Sequence, residues 1–131
     1  MRSRTLKRLF AGLLFAGLTL GAAHAFNADD LARLKASGSC ERCDLRGADL
    51  KGIDLAGANL TRASLRNSDL KDPNLSGADL ANAIFSDAVF RPTNLSGTDL
   101  RTARGLEDEQ LEMACGDGTK VPDGMTNSPC D

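Results

Sequence analysis

The sequence predicts an all-β solenoid whose coils have four sides. From residue 45 to residue 100, a leucine or phenylalanine occupies every fifth position without exception. On an α-helix five residues turn by about 500°, so these side chains would share no face. On a flat strand they would alternate between the two faces. Only a chain that turns a corner at each repeat can bury them all. The residues of this predicted core stack are Leu45, Leu50, Leu55, Leu60, Leu65, Leu70, Leu75, Leu80, Phe85, Phe90, Leu95 and Leu100.

A second period of twenty residues lies over the period of five. Residues 54–63, 74–83 and 94–103 read DLAGANLTRA, NLSGADLANA and NLSGTDLRTA. A repeat at fixed spacing is typical of a stacked architecture, in which each unit buries its face against its neighbours. Twenty residues per coil and five per side predict four sides, and residues 44–103 then form about three coils. The glycines predicted to stack at one corner, where the absence of a Cβ suits a tight turn, are Gly57, Gly77 and Gly97.

Each repeat also has characteristic residues before its core position. A small residue usually stands two positions earlier and an Asp, Asn or Ser one position earlier, as in Ala48–Gly52 and Ala78–Asn82. Positions two apart on an extended segment face the same way, so the small residue and the Leu or Phe are expected to point inward together. This A-D-L-x-x pattern resembles that of the pentapeptide-repeat proteins. The resemblance implies a right-handed quadrilateral β-helix.

Three residues depart from the pattern. Pro73 takes a small-residue position, and Ile84 and Val89 stand where the other repeats carry Asp, Asn or Ser. Two apolar side chains facing water in consecutive repeats are an anomaly on a polar surface, and a contiguous apolar patch usually covers something. The C-terminal tail is expected to fold back over Ile84 and Val89. In the second interpretation they are a candidate contact patch for a partner or a second copy.

The N-terminus has the anatomy of a secretory signal peptide. Basic residues precede an apolar run over residues 9–23, and Ala23-His24-Ala25 forms an A-x-A cleavage site. The run is shorter than the ~20 residues that a spanning helix needs, so an uncleaved anchor is the weaker interpretation. Residues 1–25 are thus predicted to be removed. We expect a periplasmic or secreted protein that starts at Phe26 and has no stable membrane span.

Cleavage would change the charge and the chemistry of the chain. It would remove four of the sixteen basic residues and none of the eighteen acidic ones, which leaves a net charge of −6. An acidic chain gives no electrostatic case for nucleic-acid binding. Cleavage would also remove His24, the only histidine and the commonest type of general base near neutral pH. We expect no catalytic residue, no cofactor and no metal ligand, and the protein is not predicted to be an enzyme.

Short helices are predicted to close both ends of the solenoid. Residues 26–39 form an N-terminal capping helix, in which Asn27 is the N-cap and Gly38 ends the helix. The repeats then occupy residues 40–104. Residues 105–131 form a C-terminal capping helix over 106–114, followed by an irregular tail closed by a disulfide.

Four cysteines flank the repeats: Cys40, Cys43, Cys115 and Cys130. An even number in a small exported chain indicates disulfides. We favour 40–43 with 115–130, because a repeat body of ~15 Å separates the two ends while bridged Cα atoms lie within about 7 Å. A tail that folds back would still permit the crossed pairings.

The Cys40-Glu41-Arg42-Cys43 segment has a second interpretation as a redox pair. A thioredoxin-type motif needs a βαβ context that this sequence lacks, so a structural staple is the stronger interpretation. A zinc site is weaker still, because the mature chain has neither a second CxxC nor a histidine.

Together these observations predict an exported scaffold that presents a rigid β-helix surface to an unknown protein partner or to a second copy of itself. The alternative is a periplasmic thiol-active protein that uses Cys40 and Cys43. Some members of the family that the sequence resembles mimic DNA and protect DNA gyrase. For this chain, a gyrase-binding DNA mimic is a remote alternative that rests on family analogy alone.

Overall fold

The computed structural model describes residues 26–130, and the predicted signal peptide lies outside them. The helices and strands, in chain order, are α1 (Ala28–Ser37), β1 (Asp69–Leu70), β2 (Val89–Phe90), β3 (Thr93–Asn94), α2 (Asp108–Glu112) and β4 (Ala114–Cys115). Within the described residues, no helix combines the length and the apolar character that crossing a membrane requires.

Backbone pairing between successive turns of the chain repeats every twenty residues. Along one side Asp44 pairs with Ser64, Ser64 with Ile84, and Ile84 with Arg104, all in parallel. On the next side β1 pairs with β2 in the same register. Each side contributes a single bridge or a two-residue strand, because a corner follows at once. The period read from the sequence is therefore the period of the hydrogen-bonded stack.

The core is a column of side chains inside this stack. All twelve predicted core residues are buried, and none is more than 2% exposed. Polar residues at the small position are buried too, and their hydroxyl groups are satisfied locally: Ser68 Oγ donates to the Leu65 carbonyl and Thr98 Oγ1 to the Leu95 carbonyl, each at 2.7 Å. Inward hydroxyls therefore leave no unpaired donor in the column.

Most corners are β-turns with a left-handed residue two positions after the core residue. At one corner the Ala58 N–H donates to the Leu55 carbonyl at 3.0 Å, and Gly57 has a φ of 68°. A turn with positive φ at its third residue favours glycine or asparagine. Gly77 and Gly97 adopt the same conformation in the next two coils, with φ of 66° and 70°.

The corner after Leu70 is built differently, because Pro73 has no N–H to close the turn. The Leu70 carbonyl instead accepts from Thr93 Oγ1 at 2.6 Å, a side chain that is completely buried one coil further on. The Asp72 N–H donates across the coils to the carbonyls of Arg91 and Pro92. A proline in one coil is thus compensated by a hydroxyl in the next.

The stack extends beyond both ends of the leucine series. The Cys40 N–H donates to the Asn59 carbonyl at 2.7 Å, the same bond that Leu45 makes to Ser64 at 2.9 Å. Cys40 therefore occupies an inward core position five residues before Leu45. At the other end β4 pairs with β3 in a register of 21 residues.

The C-terminal region differs from its prediction in two respects. The helix predicted over 106–114 covers only Asp108–Glu112, and Ala114 belongs to β4. The tail predicted to be irregular adds a further layer, in which the Gly97 and Leu100 N–H groups donate to the carbonyls of Asp117 and Lys120. The one-residue change of register accommodates the inserted helix.

Helix α1 lies against the first coil. Asn27 Oδ1 accepts from the N–H groups of Asp29 and Asp30, which makes Asn27 the N-cap. Gly38 ends the helix with a φ of 68°. Leu34 is completely buried in the core cluster, and Leu31 is partly buried and packs against the same cluster.

Candidate functional site

The first candidate site is the disulfide between Cys40 and Cys43, whose Cα atoms lie 5.5 Å apart. Cys40 takes a core position and Cys43 a small-residue position, so both side chains point into the stack. Each residue is only 1% exposed. The sulfur atoms therefore lie under α1 rather than at an open surface.

Two charged side chains of α1 lie beside this disulfide. Arg33 Nη2 is 2.8 Å from Cys43 Sγ and 3.0 Å from Asp30 Oδ1. The other carboxylate oxygen of Asp30 accepts from the Asp44 N–H at 2.9 Å. A guanidinium next to a sulfur would favour its thiolate after reduction. Asp30 lies within 4.8 Å of both sulfur atoms, but sulfurs that are bonded to each other offer no thiolate to a metal ion.

The second disulfide joins β4 to the end of the tail. The Cα atoms of Cys115 and Cys130 lie 4.8 Å apart. Between them, the Gly116 N–H donates to the Ser128 carbonyl and Asn127 Nδ2 donates to the Gly116 carbonyl. The structure thus contains the two pairings that the sequence favours, with one bridge at each end of the stack.

The two residues of the predicted contact patch lie on consecutive sides of the stack. Ile84 is half-buried and lies among Arg62, Asn82 and Arg104. Val89 is 40% exposed and lies on another side, next to α2. The corner between consecutive repeats turns the two side chains in different directions, and each lines a concavity of its own.

Met113 lies within the helix predicted over residues 106–114 and lines the same groove as Val89. Because α2 ends at Glu112, Met113 turns outward and is 49% exposed. Among residues 26–130, Val89 and Met113 are the exposed large hydrophobic side chains. Periodicity could not have found this pair, since it depends on where α2 ends and on which coil it contacts.

Val89 and Met113 line a shallow groove of about 300 Å³ between β2 and α2. Gln110 forms part of its wall and anchors α2: its Nε2 donates to the Phe85 and Ala88 carbonyls at 3.0 and 2.9 Å. Its Oε1 accepts from the Glu107 N–H at 2.7 Å. The charged residues that line the groove are Asp87, Arg91, Glu107 and Glu109.

Other surface charges are paired within and between coils. Lys51 and Lys71, in successive coils, share Asp69 Oδ2 at 3.3 and 3.5 Å. Hydrogen bonding to Arg101 holds the pKa of Asp99 at about 2. The equivalent bond from Arg46 lowers the pKa of Asp44. These pairs lie along the sides of the stack, and none of them includes a carboxylate that lines the groove.

Comparison with known proteins identifies the repeat. The model of the family described as "Pentapeptide repeats (8 copies)" matches residues 39–72 and 74–104, so that the break falls at Pro73. A pentapeptide repeat protein from Nostoc PCC 7120 is 30% identical, with 76% of this chain and 88% of that chain covered and a TM-score of 0.47. The chain belongs to the pentapeptide repeat family. The predicted family is thereby confirmed, and its members fold as right-handed quadrilateral β-helices.

Two further pentapeptide repeat proteins of known structure are similar to the chain. One from the thylakoid lumen of Arabidopsis thaliana is 29% identical over 56% of this chain, with a TM-score of 0.42. HetL from Nostoc sp. strain PCC 7120, which is involved in the regulation of heterocyst differentiation, is 27% identical over 66% of this chain, with a TM-score of 0.28. The chain spans 61% of the former and 39% of the latter. No curated protein matches the chain.

Proposed function

We propose that this pentapeptide repeat protein is an exported, non-enzymatic scaffold that presents a rigid surface to a protein partner. The stack forms about three coils, and α1 and α2 serve as its caps. The observation that carries the proposal is the filled core: every core position is occupied by a side chain no more than 2% exposed. A column filled in this way leaves binding to the outer surface, and the family often mediates protein interactions.

Export is the first testable part of this proposal. The chain, fused at its C-terminus to a reporter that is active only outside the cytoplasm, is expected to give activity that depends on residues 9–23. N-terminal sequencing of the exported product is expected to begin at Phe26. Reporter activity unchanged after replacement of the apolar run by polar residues would contradict export by this signal.

Partner binding is the second testable part. Photo-crosslinking amino acids at Lys51, Arg66 and Val89 would place probes on three different positions of the outer surface. We expect a specific crosslinked protein from at least one position when the chain is expressed in its own host, competed by unlabelled chain. If none of the three positions gave a crosslinked protein in a fully folded preparation, the scaffold function would be contradicted.

A thiol-active function is the second candidate, and the contact of Arg33 with Cys43 favours it. If the pair exchanges with an external dithiol, a guanidinium 2.8 Å from Cys43 Sγ should stabilise the reduced form. Arg33→Gln should then make the disulfide measurably harder to reduce in a dithiol redox buffer. If the dithiol reduces the disulfide equally poorly in the unsubstituted protein and in Arg33→Gln, the Cys40–Cys43 bond is a structural staple. The burial of both cysteines supports that role.

A further inference from the structure

We propose that the groove between β2 and α2 is a docking site for a basic segment of a partner protein that inserts one apolar side chain between flanking Lys or Arg residues. The inference rests on the proposed scaffold function and names the chemistry of its partner. The groove has an apolar floor, an acidic rim and a wall that is held rigid before binding.

The floor consists of the two exposed apolar side chains, which line the same groove. Val89 is 40% and Met113 is 49% exposed, and both line the same concavity of about 300 Å³. The long, unbranched thioether of methionine adapts to varied apolar partners, and methionine is enriched at interaction surfaces. The groove can therefore accept one apolar side chain of a partner.

The rim is acidic and its carboxylates are unpaired. Asp87, Glu107 and Glu109 line the groove together with one basic residue, Arg91. Among the ion pairs within residues 26–130, none involves any of these four residues. Some carboxylates elsewhere on the surface are paired with Arg or Lys, as Asp99 is with Arg101 at 2.6 Å. The rim thus offers unneutralised negative charge to a basic segment.

The wall of the groove is fixed by Gln110. Its Nε2 donates to the carbonyls of Phe85 and Ala88, which ties α2 to the coil, and its Oε1 accepts from the N–H of Glu107, the N-cap of α2. A surface that is already ordered loses less entropy when a partner binds. Rigidity of this wall, directly beside Val89, is therefore consistent with a site prepared for an occupant.

Charge complementarity decides among the possible occupants. A second copy would bring the same acidic rim against this one, and anionic lipids or nucleic acids would also meet like charge. A segment in which Lys or Arg flanks an apolar residue satisfies both the floor and the rim. We therefore commit to a basic partner segment.

The test uses the full chain and a fluorescein-labelled amphipathic peptide of leucine and lysine, titrated by fluorescence anisotropy at low ionic strength. The rim variant combines Asp87→Asn, Glu107→Gln and Glu109→Gln. The matched control combines Asp49→Asn, Asp54→Asn and Asp79→Asn, which removes the same charge from exposed positions elsewhere. The floor variant combines Val89→Ser and Met113→Ser. Thermal melts establish that every variant is folded.

We expect the rim variant to weaken binding about tenfold and the control less than about threefold, since each exposed ion pair contributes modestly. The floor variant should also weaken binding about tenfold. Equal losses in rim variant and control, or no loss in the floor variant, would overturn the site. The absence of peptide binding, or equal binding of a leucine–glutamate peptide, would also overturn the site. Self-association in sedimentation that the floor variant abolishes would overturn it too, because the occupant would then be a second copy. A partner crosslinked from Lys51 or Arg66 despite such a result would leave the scaffold function standing.

Discussion

The two ends of the stack are closed by different means. At the N-terminal end, side chains supply two of the bonds that a further coil would make: Asp30 accepts from the Asp44 N–H, and Ser39 Oγ accepts from the Asn59 N–H at 3.1 Å. One backbone bond joins them, from the Asn27 N–H to the Asp44 carbonyl at 2.8 Å. At the C-terminal end, the backbone of β4 continues the ladder from β3, and Gln110 adds side-chain bonds to the carbonyls of Phe85 and Ala88. Both arrangements satisfy backbone groups that would otherwise template association. The two ends differ in whether a new strand is added: at the C-terminal end β4 extends the ladder, whereas at the N-terminal end single bonds from α1 and its flanking residues take its place.

The largest expected difference between the ends lies in the core beneath them. Phe85→Ala should destabilise the protein by about 3–5 kcal/mol, because it leaves a cavity. It also removes an edge-to-face contact with Phe90, whose ring centroid lies 5.5 Å away. Leu45→Ala, its counterpart near α1, should cost about 2–5 kcal/mol. Urea unfolding followed by circular dichroism measures both. A loss below 1 kcal/mol for Phe85→Ala would contradict its role in the core.

The two disulfides should differ next. The Cys115–Cys130 bridge has a sequence separation of 15, and its loss through Cys115→Ser with Cys130→Ser should cost roughly 3 kcal/mol in the chain-entropy model. Because the tail also pairs with the ladder, hydrogen exchange should accelerate at Gly116 and Lys120 while the inner coils stay protected. Loss of protection throughout the stack would show that the bridge supports the whole body. The Cys40–Cys43 bridge closes too small a loop to contribute much in this way.

A smaller effect is expected from the side chains that anchor each helix. Gln110→Ala leaves the Ala88 carbonyl and the Glu107 N–H without their partner, at a cost of about 1–3 kcal/mol. The Phe85 carbonyl loses one of its two donors and keeps the Ala88 N–H. Asp30→Ala removes one acceptor from the Asp44 N–H and should cost about 1 kcal/mol. Thermal melts of the two variants, with Glu112→Ala as the exposed control, test this order. Equal melting temperatures for Gln110→Ala and the control would refute the anchor.

The smallest effect concerns the exposed pairs, one near each end. The pKa of Asp99 lies at about 2, against an ordinary value of 3.8, because Arg101 donates to it. Because the pKa is lowered in the folded state, the pair stabilises the protein above pH 4, and this stabilisation is lost as the pH falls toward 2. Carboxyl NMR titration should show Asp99 ionised at pH 3, and Arg101→Gln should move its pKa toward the ordinary value. An unchanged titration midpoint in that variant would exclude Arg101 as the cause.

Much of the stack could be predicted because its information is local. The identity of the inward residues, the left-handed corner at Gly57 and the position of Asn27 at the start of α1 each depend on a few neighbouring residues. The favoured cysteine pairing followed from the length of the repeat body alone. The inward position of Cys40 could also have been predicted, because Cys40 lies five residues before Leu45 and the period does not require a leucine there.

The candidate groove could not be predicted, because it depends on contacts between distant parts of the chain. Nothing in the residues around Gln110 shows that its amide reaches Phe85 and Ala88, 25 and 22 residues away. Likewise, no local pattern places Arg33 against Cys43. Ile84 and Val89 look equivalent in the repeat, yet only Val89 has α2 beside it.

The sequence by itself determined a four-sided stack, its period and the side chains within it, since a fixed repeat allows only one set of residues to face inward. Only the tertiary structure decided how the stack ends: where α2 stops, how the ladder shifts to a register of 21 residues, and which apolar side chains remain outside. The physical reason is that burial of a repeat is specified again in every coil. An end occurs once, and its few long-range hydrogen bonds leave no periodic trace in the sequence.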